Sequence, residues 1–192
     1  MKDQKVFILA LGYDGSQEQQ FWSLRDRFCN TPAWTDGVIL PPLVVLGVTS
    51  DIFEKKDIES FVSRPFGGLE IDTVRIFFNT TQDWRCSGAQ CVPSKASEDI
   101  GQHIQLALSS RERVQSGPWG EIASSLGYPY LLLGFATPDS RLPQERKIGK
   151  ITLTRPSLQI YEVQSWPGTN GAWFENLRWS LGYQKRLRLP KA

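Results

Sequence analysis

One histidine, His103, and three cysteines, Cys29, Cys86 and Cys91, are all the imidazole and thiol chemistry in this chain of 192 residues. Acid–base work at neutral pH draws first on imidazole, whose pKa lies near neutrality. His103 stands alone in the helical pattern EDIGQHIQLAL and reads as a surface or boundary residue. Cys86 and Cys91 lie close together in RCSGAQCVP, which allows one local disulfide or half of a metal site. No second ligand pair exists to complete such a site, so ordinary thiols are expected, with no metal and no cofactor. The odd cysteine count argues against a secreted disulfide framework. Cys29, at a predicted helix end, has no histidine nearby in sequence to activate it.

Tyr13, Asp51, Tyr130, Asp139, Arg141 and Arg155 are polar groups that could surround a cleft mouth. No two of them have a spacing that defines an acid–base pair. The runs GYDG, LGVTSD and PFGG are not phosphate loops, because they lack Walker spacing and GxGxxG.

The elements that would position these groups follow from periodicity. Val6 to Leu11 is a buried strand, too short to span a membrane. Phe21, Leu24 and Phe28 recur at helical spacing within 18–28, with Ser16 as a candidate N-cap. The apolar run VILPPLVVLGV (38–48) is a strand that Pro41-Pro42 must begin or edge. Ser50 and Asp51 can cap a helix over 52–62. Strand patterns cover 69–79, 128–136, 151–153 and 157–163, with a final strand within 172–189. Helices are expected over 97–114 and 121–126, and a loop carries Cys86 and Cys91. Strands and helices mix without strict alternation, which predicts an α+β fold.

Composition sets outer limits. With 40% hydrophobic and 22% charged residues the chain is globular, and 22 Lys+Arg against 20 Asp+Glu exclude a strongly basic, histone-like binder. Charge is uneven: residues 141–192 sum to +7 and residues 1–140 to −5. The basic end could face RNA or another acidic partner. No segment approaches a membrane span and the N-terminal run lacks a signal-cleavage pattern, so a soluble, cytoplasmic protein is expected.

One echo crosses the chain: the Pro-led apolar strand PPLVVLG returns later as PYLLLGF. The order of early strand, helix, Pro-led strand, helix, sheet strand, long helix, second Pro-led strand and closing SLQIYEV strand resembles the two-histidine phosphoesterase superfamily. That superfamily includes the LigT-like RNA cyclic phosphodiesterases, also called 2′-5′ RNA ligases. The resemblance runs from about Val6 to Tyr183. It implies a single bilobal, pseudo-symmetric domain over 1–192, with mixed or antiparallel sheets around a central cleft and helices outside. In that family each lobe offers one His-x-Thr or His-x-Ser motif.

Carried over by the resemblance, the histidine positions fall on Pro42 and Tyr130, and the Thr/Ser positions on Val44 and Leu132. These four would point together into the cleft, while Leu43, Val45, Leu131 and Leu133 would face the helix-covered core. Proline, valine and leucine transfer no protons, and a tyrosine with a pKa near 10 is a poor base at neutral pH. The resemblance therefore implies a catalytically inactive binding or assembly module with an apolar cleft. Its partner would be a protein or a small molecule, with Trp34, Arg141 and Arg155 as candidate ligand or phosphate contacts. Trp166, Trp173 and Trp179 could line the same cleft or an interface. Two alternatives stay open: RNA or nucleotide binding, and a cyclic phosphodiesterase-type hydrolase that uses displaced, non-histidine residues.

Overall fold

A run in which both odd and even positions are apolar can be satisfied only by a strand covered on both faces. The computed structural model shows this for three strands. It describes residues 4–13, 15–28, 40–63, 69–71, 76–80, 85–93, 102, 106, 108, 114, 117–126, 128–136, 151–153, 156–165 and 177–188. In β1 (Gln4–Gly12), Val6, Ile8 and Ala10 enter one buried cluster, and Phe7, Leu9 and Leu11 enter another. β2 (Leu43–Thr49) and β7 (Tyr130–Ala136) divide their first four side chains in the same way, before register shifts return Val48 and Phe135 to the cluster of Leu43 and Tyr130.

The remaining strands are β3 (Leu69–Ile71), β4 (Ile76–Thr80), β5 (Arg85–Gln90), β6 (Val92–Pro93), β8 (Ile151–Leu153), β9 (Ser157–Ser165) and β10 (Arg178–Arg186). Seven form one sheet in the order β10-β9-β1-β2-β7-β5-β4, and three form a small sheet in the order β6-β3-β8. Every strand pair described is antiparallel. The expected α+β architecture is the observed one.

Helices cover both faces. On one lie α1 (Gly15–Phe28), through Phe21 and Leu24, and α2 (Lys55–Val62), through Ile58, Phe61 and Val62. On the other lies α3 (Gly117–Leu126), which contributes Trp119 and Ile122. Among the described residues, no helix is long and apolar enough to cross a membrane.

Several elements differ from the sequence reading. The single strand expected over 69–79 is two strands in different sheets, β3 and β4. The expected cysteine loop contains β5, which is paired with β4 on one side and β7 on the other. Its Ser-Gly-Ala centre has too little side chain to advertise a strand, yet small residues suit a strand enclosed by neighbours. The helix expected from residue 52 starts at Lys55, after Thr49 Oγ1 has accepted the Asp51 amide at 3.1 Å. Of the helix expected over 97–114, Gln102, Leu106 and Leu108 are described as helical. Cys86 and Cys91 are both buried and unbridged, and they enter opposite clusters. Pointing to opposite faces of the sheet, they can form neither a disulfide nor a shared ligand pair.

Candidate functional site

The junction of β2 and β7 decides where the two Pro-led strands aim their side chains. Direct partners in an antiparallel pair share a face. The register sets Leu43 opposite Leu132, Val44 opposite Leu131 and Val45 opposite Tyr130. The four positions expected to share one hollow therefore divide. Tyr130 and Leu132 lie on one face with Leu43 and Val45, while Val44 lies on the other with Leu131 and Leu133. Pro42 precedes β2, and its carbonyl accepts the Tyr13 hydroxyl at 3.0 Å.

Val44 is one residue out of step with Leu43 and Val45, and in a strand one residue moves a side chain to the opposite face. The β2–β7 pairing itself is symmetric. The first position of each triplet, Leu43 or Tyr130, faces the third position of the other, Leu132 or Val45, with Val44 and Leu131 at the centre.

This face is closed at the junction. Leu43, Val45, Tyr130 and Leu132 are at most 2% exposed, and Leu40, Trp119, Ile122 and Phe135 pack into the same cluster. Trp119 meets Phe135 edge-on, with centroids 5.8 Å apart. The Tyr130 hydroxyl is buried without a hydrogen-bond partner among the described residues. Burial, and then Tyr128 and Cys86, push its pKa well above the ordinary value, so it stays protonated at neutral pH. An orphaned buried hydroxyl costs about 1–3 kcal/mol. Tyr130→Phe should therefore stabilise the fold by about 1–2 kcal/mol, read as a higher urea midpoint. A lower midpoint would mean that the hydroxyl is satisfied.

The same face opens beyond the N-terminal end of β2. A cavity of about 390 Å³ there is lined by Gly12, Tyr13, Glu18, Trp22, Pro41, Pro42, Leu43, Gln159, Tyr161, Trp179 and Gln184. The sheet builds its floor: Ala10, Gln159 and Gln184 are register partners across β1, β9 and β10, as are Ile8, Tyr161 and Leu181 in the next row. Gly12 lies against Gln159, and a Cβ there would overlap the Gln159 carboxamide and make it shift. Gln159 Oε1 accepts the Tyr161 hydroxyl at 2.9 Å.

Aromatic rings form the walls. Tyr13 stacks on Phe21 at 4.2 Å, and Tyr161 meets Trp179 at 5.5 Å. Trp22 and Trp179 are 36% and 38% exposed, unusual for such large rings. The Arg25 guanidinium lies 4.8 Å from the Trp22 ring centre and donates to the Leu40 carbonyl at 3.3 Å. Burial pushes the Tyr161 hydroxyl up to about 12. The Tyr13 hydroxyl is raised as well, by burial and then by Tyr161 and Glu18, with Arg25 opposing. Neither tyrosine is a base near neutrality.

Of the residues expected at a site, Pro42, Tyr13 and Trp179 line this cavity. Tyr130, Val44 and Leu132 are enclosed in the core. Asp51 sits just past the C-terminal end of β2. Trp34, Asp139, Arg141, Arg155, Trp166 and Trp173 lie outside the described residues. Trp22, Gln159, Tyr161 and Gln184 were missed. One signal was available: in SLQIYEV, Gln159 and Tyr161 occupy one face of the strand and Leu158 and Ile160 the other.

The architecture is an α+β, antiparallel LigT-like fold. The chain matches the crystal structure of E. coli LigT complexed with 3′-AMP with a TM-score of 0.53 and 11% identity, over 97% of this chain and 99% of that one. A Thermus thermophilus protein matches with a TM-score of 0.54 and 10% identity, over 97% of this chain and 100% of that one. A structure described as a phosphoesterase matches at 0.53 and 10% identity, covering 96% and 99% of the two chains. At such identities the likeness defines the fold. Neither a family model nor a curated protein matches the sequence.

Proposed function

We propose that this chain is a binding module of the cytoplasm that keeps the LigT-like fold without two-histidine catalysis. One observation carries the reading: the side chains facing each other across the β2–β7 junction are Leu43, Val45, Tyr130 and Leu132, all buried. None exchanges a proton near pH 7. General acid–base help is worth about 10²- to 10⁴-fold per group, so lacking both groups removes useful turnover by that route. Two buried cysteines on opposite faces, with no bridge between them, suit a reducing compartment. The cavity beside Leu43 supplies the place where a ligand would be held.

The test is hydrolysis of 2′,3′-cyclic nucleotides and cyclic-phosphate RNA. The expected result is no turnover above the buffer rate. Turnover that survives purification and disappears in Tyr130→Phe would overturn the reading in favour of displaced chemistry. RNA or nucleotide binding is the second reading, favoured by Arg178, Lys185, Arg186 and Arg188, which are exposed on and just after β10. Arg141 and Arg155 would join them in contacting phosphates, and binding would then weaken steeply with salt.

A further inference from the structure

The cavity beside Leu43 is built to recognise charge and π surface more than hydrogen-bond pattern. Its directional groups are largely committed within the protein. The Tyr13 hydroxyl donates to the Pro42 carbonyl, and the Tyr161 hydroxyl donates to Gln159 Oε1. Gln184 Nε2 lies 3.4 Å from Ser157 Oγ as a donor. The lining also presents four aromatic side chains, Tyr13, Trp22, Tyr161 and Trp179, and the carboxylate of Glu18.

Charge selects further. No Lys, Arg or His is among the described lining residues, and Glu18 carries their only charge. Among the described lining residues a phosphate would meet a carboxylate and no cation. The Arg25 guanidinium, held on the Trp22 ring, is not part of the lining. The electron-rich faces of indole and phenol rings attract cations, most strongly when the cation sheds little water. A quaternary ammonium is such a cation, and it has no N–H that needs an acceptor. The volume, about 390 Å³, lies within the usual range for small-molecule sites.

We infer that this cavity binds a trimethylammonium group, with Trp22, Trp179, Tyr13 and Tyr161 as its cage and Glu18 as its counter-charge. The inference rests on the binding-module reading and names the ligand class of that site. A trimethylammonium group can come from choline or from a trimethylated lysine, and both serve as probes.

Tryptophan fluorescence and calorimetry on the full chain would be followed with choline, Nε-trimethyllysine, 3,3-dimethylbutan-1-ol and AMP. Saturable binding of a trimethylammonium probe is expected, with the uncharged isostere about tenfold weaker. Glu18→Gln, at an exposed position that leaves the fold intact, should weaken it about fivefold. Trp179→Ala, on an exposed strand, should weaken it about tenfold or more. Choline binding more tightly than trimethyllysine, or the reverse, identifies the source. Equal affinity for the isostere, tighter binding of AMP, or no response to either ammonium probe would overturn the inference. Those results leave the binding-module reading standing, since that reading falls only on cyclic-phosphate turnover.

Discussion

Replacing Trp119 with alanine should cost about 3–5 kcal/mol of stability, a large part of what a domain of this size has in reserve. Trp119, on α3, is the largest fully buried side chain among the described residues. It packs against Phe135 and shares a cluster with Leu43, Val45, Tyr130 and Leu132. Alanine would leave a hole directly over the facing positions of the two central strands. Urea denaturation checks the size of the effect, through a lower midpoint at unchanged slope. A loss below about 1 kcal/mol, as for an ordinary surface change, would show that α3 does not seal this face. Trp119→Phe keeps most of the volume and should recover much of the loss. Any cyclic-phosphate turnover that appeared as Trp119→Ala opened the face would count against the inert character of those four positions.

Gly12→Val carries the second large effect, and it acts on the cavity instead of the junction. The Gln159 carboxamide lies where a side chain at residue 12 would go. Gln159 is 8% exposed and lines the cavity, so the room it has to retreat is the cavity itself. Overpacking of this kind costs about 1–3 kcal/mol. Displacing Gln159 also breaks its bond to the Tyr161 hydroxyl and shifts the ring that meets Trp179. The variant should show a lower denaturation midpoint together with altered tryptophan emission. Gly12→Val with wild-type stability and emission would mean that Gln159 swings freely and that the cavity floor is not fixed.

Much of the sheet was legible because its central strands are apolar at every position. Val6 to Leu11, Leu43 to Val48 and Tyr130 to Phe135 announce strands covered on both faces. The order of elements was enough to suggest the LigT-like fold that the structure has. Legibility failed where side chains were small or where partners were remote. Arg85–Gln90 looks like a loop because Ser87, Gly88 and Ala89 offer no bulk, yet β7 and β4 enclose it.

The facing set was misread at β2 for a related reason. Both faces of Leu43 to Val48 are apolar, so nothing in the local pattern says which residues look toward β7. Only the pairing with Leu131 and Leu132 fixes that. The cavity was harder still. Its residues come from α1, the approach to β2, β9 and β10, which meet only after the last strands have been added beside the first.

That arrangement, in which β1 lies between β2 and β9, has a consequence for biosynthesis. Nine residues of β1 pair with Ser157–Ser165. At about 5–20 residues per second, β1 leaves the ribosome roughly 8–30 s before its neighbour exists. Until then one long edge of a strongly apolar strand is open to other chains. The nascent protein therefore has a window in which a holdase chaperone would matter, and the window shuts only when the final third has been translated.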